Sequence, residues 1–346
     1  MTNKVLIAMS GGVDSSVAAY IMKRDGYNTS GAIMELLSSS IKDNADTLDA
    51  RAVCEKLGMD FYVLNMRDEF EKCVISSFIN AYENGCTPNP CIECNRHLKF
   101  GKFLSEAQNL GIDNIATGHY AIIEKTGDRY YLKKGKDLSK DQSYVLYNLT
   151  QHQLSHTIFP LGEMTKEEIR AIAEEKGLIT ARKKDSQDIC FVPDGDYFSF
   201  IKNYTQKDYP NGNFVNMKGE VIGTHEGIIK YTVGQRKGLG TGFGERVYVH
   251  HKNIATNEVV LSGNDELFSN ELYATGFNWI SFDKSPEKIK AYAKVRYSAK
   301  ETPCTVHTLS DGEVYIEFDS PQRAIAKGQS VVLYDGDYVL GGGVIK

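Results

Sequence analysis

The sequence lacks several features that would place it in a special class of protein. No segment resembles a signal peptide, and no apolar run is long enough to span a membrane. Seven cysteines among 346 residues are too few for a disulfide scaffold. Internal repeats and low-complexity segments are also absent from the sequence. We therefore expect a cytoplasmic protein with reduced thiols and no membrane association.

An excess of positive charge is also missing. Forty Lys and Arg residues stand against 45 Asp and Glu residues, which gives a net charge of −5. This balance argues against a generally basic nucleic-acid-binding protein, so any RNA-binding surface must be local. A hydrophobic content of 41% is ordinary for a globular protein, and the length predicts two or three domains.

The pattern of apolar runs divides the chain into three parts, which we place at residues 1–205, 206–270 and 271–346. Strand-like and helix-like runs alternate in the first part, which predicts an α/β fold with a parallel sheet and helices on both faces. The second part is predicted to be a small mixed module with strands at 213–215, 227–233 and 247–251. The third part has regularly spaced alternating runs, which predict an all-β domain, a barrel.

The most informative segment is a glycine turn between a predicted strand and a predicted helix. Residues 10–15 read Ser-Gly-Gly-Val-Asp-Ser. Gly11 and Gly12 permit a tight turn and close approach of a ligand, and a helix starting near Asp14 points free amides at an anion. No Gly-Lys-Ser/Thr follows, so this is not a Walker A loop. We predict a phosphate-binding loop, the alternative being an ordinary turn that needs glycine. Three hydroxyls would add donors to it: Ser10, Ser15 and Ser16.

Three of the seven cysteines lie in loop-like segments rather than in apolar stripes. Cys91 and Cys94 follow two prolines, and Cys190 follows a basic and polar segment. Cys94 should lie near a helix N-terminus, where amide dipoles favour the thiolate, with help from Arg96 and Lys99. Because rigid loops carry function more often than packing does, we predict that these three cysteines carry chemistry. Cysteines in amphipathic or alternating runs should instead be core residues: Cys54, Cys73 and Cys304.

Together these motifs resemble the tRNA-specific 2-thiouridylases of the pyrophosphate-loop ATP pyrophosphatase superfamily, which replace O2 of the wobble uridine with sulfur. The resemblance covers nearly the whole chain. It rests on Ser-Gly-Gly-Val-Asp-Ser at 10–15, Thr-Pro-Asn-Pro at 87–90, Ala-Thr-Gly-His-Tyr at 116–120, Lys-Asp-Gln-Ser-Tyr at 140–144, Lys-Lys-Asp-Ser at 183–186, Ile-Cys-Phe at 189–191, Gly-Gln-Arg-Lys-Gly-Leu-Gly at 234–240 and Leu-Gly-Gly-Gly at 340–343.

The resemblance implies a reaction and its participants. ATP, with Mg²⁺, would adenylate the uracil O2 of tRNA, and sulfur would then attack C2. The sulfur would come from a cysteine desulfurase or a sulfur-relay protein. Cys94 would be the nucleophile, and Cys190 would carry the sulfur as a persulfide.

The resemblance also implies binding residues. ATP would be held by Ala8, Met9, Ser10, Gly11, Gly12, Val13, Asp14, Ser15, Met34 and Gly118. The target base would face Asn89, Pro90 and Cys91. Contacts with tRNA would come from His119, Lys140, Asp141, Gln142, Arg296, Tyr297 and Gln329. To these we add the basic pair Lys183 and Lys184, because it lies near Cys190 in the sequence.

One residue departs from the family's pattern. Many members carry Asp, a proposed acid/base group, where this chain has Cys91. A thiol with a reference pKa of about 8.5 cannot replace a carboxyl group with one of about 3.9. Cys91, Cys94 and Cys190 instead make a three-thiol set that could hold a [4Fe–4S] cluster with one iron left open for hydrosulfide. Metal-free persulfide chemistry is an equal alternative, and zinc with His97 as a fourth ligand ranks third.

Two other functions fit parts of the sequence. Amidotransferase synthetases and lysidine-type ligases also adenylate an oxygen through such a loop, but they use an amine and have no need of the three cysteines. A zinc-stabilised RNA-binding module would use Cys91 and Cys94 as structural ligands, but it would have no need of a nucleotide loop.

Overall fold

The computed structural model describes residues 3–37, 45–183, 189–192, 194–240, 242–310 and 312–346. In chain order the strands are β1 Lys4–Met9, β2 Asn28–Glu35, β3 Asp60–Asn65, β4 Asn114–Ala116, β5 Ala121–Thr126, β6 Arg129–Lys134, β7 Thr157–Ile158, β8 Gly212–Val215, β9 Val221–His225, β10 Tyr248–Asn253, β11 Glu258–Ser262, β12 Phe268–Asn278, β13 Lys288–Lys294, β14 Thr302–Thr308, β15 Val314–Arg323, β16 Ser330–Asp335 and β17 Tyr338–Ile345. No helix in this part of the chain is long and apolar enough to cross a membrane.

The helices lie mostly between the strands of the first part. The α-helices are α1 Val13–Arg24, α2 Ala45–Lys56, α3 Arg67–Phe70, α4 Ser76–Glu83, α5 Pro90–Glu93, α6 Phe103–Asn109, α7 Gln151–Ser155, α8 Lys166–Glu175 and α9 Tyr197–Thr205. Two π-helical stretches, Glu71–Ile75 and Cys94–Lys102, join α3 to α4 and α5 to α6. Short 3₁₀ turns are Ser143–Leu146, Ile228–Lys230 and Asp265–Leu267.

A five-stranded parallel sheet in the order β3-β2-β1-β4-β7 forms the centre of the first part. Successive residues of β1 point to opposite faces. Val5 and Ile7 belong to a core cluster that includes residues of α1 and α2, whereas Leu6 belongs to another with Phe78 of α4 and Phe103 of α6. Both faces of the sheet are therefore covered by helices, as the alternation of runs predicted. The carboxyl ends of β1, β2 and β4 meet at one edge, which is where ligands bind in such sheets.

The second part contains a four-stranded sheet in the order β10-β11-β8-β9. The strands predicted at 213–215 and 247–251 are found within a residue or two, as β8 and β10. The strand predicted at 227–233 is wrong, because this segment is a 3₁₀ turn that begins after Gly227 at a φ of 105°. Ile228, Ile229 and Tyr231 are all buried in the core, so their apolar character reflects burial and not strand geometry.

The third part is a closed antiparallel barrel. Six strands pair in the order β12-β15-β14-β13-β16-β17, and pairing of β12 with β17 closes the ring. The barrel prediction is therefore confirmed. A hairpin of β5 and β6 from the first part extends this sheet through the pairing of Lys133 with Tyr338. The sequence did not indicate this connection.

Three glycines near the end of the chain, Gly341–Gly343, pack closely against other segments, Gly342 against the first part and the other two against residues of the third part. A Cβ at Gly342 would lie 2.6 Å from the Tyr147 ring, and one at Gly343 would lie 2.6 Å from Phe277. A Cβ at Gly341 would lie 2.4 Å from the carbonyl oxygen of Asn278. Strand β17 therefore has no room for side chains at these positions, which accounts for the run of glycines.

Candidate active site

A cavity of about 890 Å³ opens at the carboxyl edge of the parallel sheet. Its walls combine three regions that are far apart in sequence: the glycine loop at 10–14, the cysteine-bearing segments around Cys91, Cys94 and Cys190, and Tyr297 of the barrel. Residues predicted independently for nucleotide binding and for sulfur chemistry therefore share one cavity.

The glycine loop has the geometry of a phosphate cradle. Gly11 has a φ of 67°, and a Cβ there would lie 2.4 Å from the backbone oxygen of Asp46. Gly12 precedes the first turn of α1 and has no side chain to cap it, so the first amides of the helix stay open to a ligand. The Ser15 hydroxyl, 3.2 Å from the Ser10 amide, braces the loop from behind.

One predicted donor of the loop is not available to a ligand. The Ser16 side chain is fully buried and donates to the Gly12 carbonyl oxygen at 2.8 Å. It also accepts a hydrogen bond of 2.9 Å from Thr180. The expectation that Ser16 adds a hydroxyl to the phosphate site is therefore wrong, because the folded loop uses that hydroxyl itself.

The remaining residues predicted for ATP surround this loop. Met9, Val13 and Met34 line the cavity, whereas Ala8 and Ser15 are buried behind it. Gly118 follows β4 and approaches α1 so closely that a Cβ would lie 3.0 Å from the Asp14 and Ser15 backbone. All ten residues therefore lie in or directly beside the loop region, and their contact with ATP stays a prediction.

Asp14 lies in a network that the sequence did not indicate. Lys166 Nζ is 2.7 and 2.9 Å from its two carboxylate oxygens, and the Tyr120 hydroxyl donates to it at 2.6 Å. Both partners line the cavity. The sequence does contain a signal for Lys166. A lysine is unfavourable as the first residue of a helix, because its charge opposes the helix dipole.

Lys183 approaches the loop from the opposite side. Its Nζ donates to the Gly11 carbonyl oxygen at 3.0 Å and to Asp46 and Asp49 at 2.7 Å each. Burial lowers its pKa, but the two carboxylates outweigh that effect, so the pKa is raised overall. The structure thus places this predicted tRNA contact against the nucleotide loop. Its neighbour Lys184 lies outside the described residues.

The residues just before Cys91 fix where the cysteine-bearing helix begins. Asn89 caps α5 by accepting a hydrogen bond of 3.1 Å from the Cys91 amide, and Pro90 occupies the first turn. The π-helical stretch starts at Cys94, and such stretches are frequent at functional sites. Next in the chain, Asn95 donates to the Val145 carbonyl oxygen at 3.0 Å. That bond fixes the helix to the segment that follows Lys140.

The electrostatics of the thiols differ from the sequence prediction. Burial raises the pKa of Cys94, although Lys99 acts in the opposite direction. The prediction that the Cys94 thiolate is favoured is therefore wrong in its net sign, because burial outweighs the nearby cation. Cys190 is exposed at the cavity wall, and desolvation by the surrounding protein, followed by the nearby Cys94, raises its pKa to about 11. Cys94 and Cys190 line the same cavity.

The thiols of Cys91, Cys94 and Cys190 are suitable metal ligands, but their arrangement does not suit a metal site. Three thiolates could ligate a cluster or zinc, yet among the described residues no three His, Cys, Asp or Glu side chains lie close enough to hold a metal. His97, the suggested fourth zinc ligand, instead lies 3.3 Å from the Glu93 carboxylate. As arranged here, Cys91, Cys94 and Cys190 share a cavity without forming a metal site.

The residues expected to meet tRNA divide into two groups. On the cavity wall lie Pro90, Cys91, Lys140, Gln142, Lys183 and Tyr297. The others hold the fold together: Asn89 as a helix cap, Asp141 on the Gly135 and Ser143 amides, Gln329 on the Thr87 carbonyl oxygen, Arg296 on the Arg323 carbonyl oxygen, and His119 in the core.

His119 is the least accessible of these residues. Its Nδ1 lies 2.7 Å from the Thr117 hydroxyl, and its ring packs against Phe100 and Phe159. Burial, reinforced by Lys99, holds its pKa well below the usual range, so the ring is neutral. In this arrangement it offers no surface to RNA, and its contact with tRNA stays a prediction.

Three known protein families match successive segments of the chain. Residues 3–194 match the family described as the tRNA methyl transferase HUP domain, and residues 198–263 match the tRNA methyl transferase PRC-barrel domain. Residues 269–345 match the aminomethyltransferase beta-barrel domain.

Whole-chain relatives are also close. The chain is 51% identical to the tRNA-specific 2-thiouridylase MnmA of Clostridium botulinum strain Alaska E43, over 99% of this chain and 98% of that one. It is 50% identical to the same enzyme of Clostridioides difficile strain 630, over 100% and 99%. Such identity over the full length of both partners shows that the chain belongs to the tRNA-specific 2-thiouridylase family.

Proposed function

We propose that this chain catalyses the ATP-dependent 2-thiolation of the wobble uridine of tRNA. The observation that carries the proposal is that the glycine loop and the three cysteines line one cavity. An adenylated base bound against the loop would thus be within reach of sulfur. Its relatives' activity and the family membership point to the same reaction.

The first step activates the base. The uracil O2 attacks the α-phosphorus of ATP, the bond to the β-phosphate breaks, and pyrophosphate leaves. The open amides of α1 would stabilise the negative charge that develops on the phosphates. Asp14 would hold Mg²⁺ together with the phosphates, because this ion usually takes one or two carboxylates and substrate oxygens. When bound, the ion would neutralise phosphate charge.

The second step transfers sulfur, and we assign it to a persulfide on Cys190. The terminal persulfide sulfur attacks C2, the C2–O bond breaks and AMP leaves. Cys94 then attacks the Cys190 sulfur, which forms a Cys94–Cys190 disulfide and leaves the second sulfur on C2. A dithiol reductant must reduce that disulfide before the next turnover. The position of both thiols in the wall of one cavity supports this assignment, and among the described residues no group of three side chains is arranged to hold a metal or cluster.

The sulfur source and the RNA are partners of this site. We propose that a cysteine desulfurase, or a relay protein charged by one, delivers the persulfide to Cys190, whose exposure permits this transfer. The single-stranded anticodon loop lets the target base leave its stack at low cost.

A cysteine variant tests the proposed reaction. We expect Cys94→Ser to abolish formation of 2-thiouridine while tRNA-dependent release of pyrophosphate persists, because the serine cannot release sulfur from Cys190. Cys86→Ser is the matched control, since Cys86 does not line the cavity. Turnover that survives Cys94→Ser would refute the sulfur assignment and favour an amide-forming ligase.

Metal analysis tests the route of the sulfur. Protein purified without oxygen, as wild type and as Cys91→Asp, is assayed for iron, sulfide and zinc and for thiolation. We expect thiolation by metal-free protein supplied with a persulfide donor. A stoichiometric cluster that Cys91→Asp loses would overturn the persulfide route.

A further inference from the structure

Lys294 is a half-buried lysine at the contact between the barrel and the first part of the chain. It is the last residue of β13 and lies three residues before Tyr297 in the sequence. Its Nζ lies 5.7 Å from the centre of the Tyr297 ring and 5.8 Å from the centre of the Tyr144 ring. Both distances are within the range of a cation–π contact. One ammonium group therefore faces a ring of the barrel and a ring of the first part.

The two rings differ in how firmly the fold holds them. Tyr144 is fully buried, and its hydroxyl donates to the Ser330 carbonyl oxygen at 2.8 Å. Tyr297 lines the cavity and is 45% exposed. Its hydroxyl donates to the Asp141 carbonyl oxygen at 3.0 Å, and its ring meets the Tyr144 ring edge to face, with 5.9 Å between the two centres. Tyr144 is therefore a rigid base, and Lys294 joins the more exposed Tyr297 ring to it.

An ion pair does not explain the position of Lys294. Within the residues that the structure describes, its ammonium group donates no hydrogen bond and forms no ion pair. Burial is the largest effect on its pKa and lowers it, although the carboxylates of Asp141 and Glu301 act in the opposite direction. Both carboxylates are engaged elsewhere, since Glu301 pairs with Lys134 at 2.7 Å and Asp141 accepts hydrogen bonds from two backbone amides. Desolvation of a cation without a charged partner is unfavourable, so the ring contacts are the interactions that offset it.

Tyr297 connects the barrel to a part of the cavity wall that is expected to meet tRNA. Asp141, whose carbonyl oxygen accepts the Tyr297 hydroxyl, lies between Lys140 and Gln142 in the chain, and both of these line the cavity. The three cysteines line the same cavity. A shift of the Tyr297 ring would therefore change the space left for a base that has to reach the thiols. Misplacement of a reacting group by about 1 Å can lower a rate about a hundredfold.

We propose that Lys294 is a positioning residue for the thiolation reaction. Its ammonium group holds the Tyr297 ring against Tyr144 and so keeps the barrel side of the cavity wall in the orientation that receives the target base. The inference rests on the proposed function and adds to it a residue that acts only through another side chain. Removal of the charge should therefore lower the rate of thiolation and leave the binding of ATP and of tRNA intact.

Single-turnover thiolation by the full chain, with saturating tRNA and ATP, tests this role. We expect Lys294→Met, which keeps an unbranched side chain without its charge, to lower the rate about tenfold, because a partly desolvated cation–π contact is lost. The dissociation constant of tRNA should stay at the wild-type value, since phosphate contacts supply most of the affinity for RNA. Lys294→Arg should restore most of the rate, because a guanidinium group also stacks on aromatic faces. Lys290→Met is the matched control, since Lys290 is an exposed lysine of the same strand.

A double-variant cycle separates positioning of the ring from a purely structural role. In a Tyr297→Phe background, which keeps the ring, Lys294→Met should still lower the rate about tenfold. In a Tyr297→Leu background it should cause no further loss, because the ring that Lys294 holds is absent.

Three results would overturn the proposal. The first is an equal loss of rate in the Phe and Leu backgrounds. The second is a loss that saturating tRNA removes, which would make Lys294 an RNA-binding residue. The third is a lowered midpoint of thermal unfolding in Lys294→Met with a rate that Lys294→Arg does not restore. Wild-type protein that forms no 2-thiouridine would instead contradict the proposed function.

Discussion

At the scale of single residues, the pKa values of the cavity thiols are shifted in the direction opposite to the one that the sequence predicts. The sequence predicts a stabilised thiolate from the helix position of Cys94 and its basic neighbours. Burial is the larger effect, and it raises the pKa of both Cys94 and Cys190. At neutral pH both groups are therefore thiols in the resting protein. Sulfur delivery and nucleotide binding would then have to supply the reactive anion.

The reactivity of Cys190 should follow from this. With a pKa of about 11, the group is protonated at pH 7 and loses its proton only as the pH approaches 11. We expect its rate of alkylation by iodoacetamide to rise about tenfold per pH unit from pH 7 to 10, because the thiolate is the nucleophile. Peptide mass spectrometry follows the rate, and a free small-molecule thiol serves as the control. A plateau below pH 9 would contradict the raised pKa.

Alanine variants of two glycines with the same backbone conformation can separate the effect of steric crowding from the effect of backbone strain. Gly11 and Gly111 have φ values of 67° and 70°, but only Gly11 has close neighbours at the Cβ position. Both alanine variants should lose about 1–2 kcal/mol of stability, because a side chain is strained in the left-handed region. Gly11→Ala should in addition abolish ATP binding, since its Cβ would displace the backbone of Asp46. Equal ATP affinity in the two variants, measured by titration, would argue against the loop as the phosphate site.

At the scale of elements, the barrel supports the segment that carries the cysteines. The loop before β16 clamps Thr87 on both sides. The Thr87 amide donates to the Lys327 carbonyl oxygen at 2.7 Å, and Gln329 Nε2 donates to the Thr87 carbonyl oxygen at 2.8 Å. Thr87 lies three residues before Pro90, where α5 starts. Gln329, which the resemblance assigns to tRNA, thus also anchors the segment that leads to Cys91 and Cys94.

One variant of Gln329 can separate its support of Thr87 from a contact with tRNA. We expect Gln329→Ala to lower the rate of thiolation about tenfold with little change in ATP affinity, because the Thr87 segment loses one of its two anchors. Gln322→Ala is the control, since Gln322 contacts Thr302 and Ser320 within the barrel. Single-turnover kinetics with saturating tRNA measure the rate. A loss that appears only at low tRNA concentration would assign Gln329 to RNA binding alone.

Most elements could be predicted from local patterns, and the exceptions have physical causes. The strands of the parallel sheet are apolar runs buried on both faces, which a sequence displays directly. The segment 227–233 resembles a strand because it is apolar, but Gly227 adopts a positive φ and a 3₁₀ turn follows it, with Ile228 and Ile229 buried. In the sequence, the β5–β6 hairpin resembles any other pair of strands. Its pairing with β17 leaves no local pattern, because β17 lies some 200 residues further along the chain.

At the scale of the whole molecule, a negative net charge is combined with a cavity rich in lysine. Lys99, Lys140, Lys166 and Lys183 line the cavity beside Asp14, Glu35 and Asp46, while the whole chain carries a charge of −5. The lysines outnumber the carboxylates, so we expect the attraction for RNA to be local to this opening. Long-range repulsion elsewhere would help to orient the RNA.

Salt dependence should reveal this concentration of charge. We expect tRNA affinity to fall steeply as salt rises, because phosphate contacts release counterions. Lys140→Ala should weaken binding and reduce the slope of log affinity against log salt by about one. Lys218→Ala, an exposed lysine of the central module, is the control and should leave the slope unchanged. Salt-insensitive binding, measured by filter retention, would contradict an electrostatic RNA site at the cavity.

Local patterns in the sequence are enough to predict the class of fold, a glycine loop for phosphate and three cysteines for sulfur chemistry. Each of these depends on local chemistry: glycines where the backbone turns, apolar periodicity, and cysteines outside apolar stripes. Three other properties become visible in the folded chain: the pairing of Asp14 with Lys166, the support of Thr87 by the barrel and the direction of the thiol pKa shifts. These properties arise from burial and from contacts between distant segments. The packing of the whole chain creates them, so no local pattern reports them.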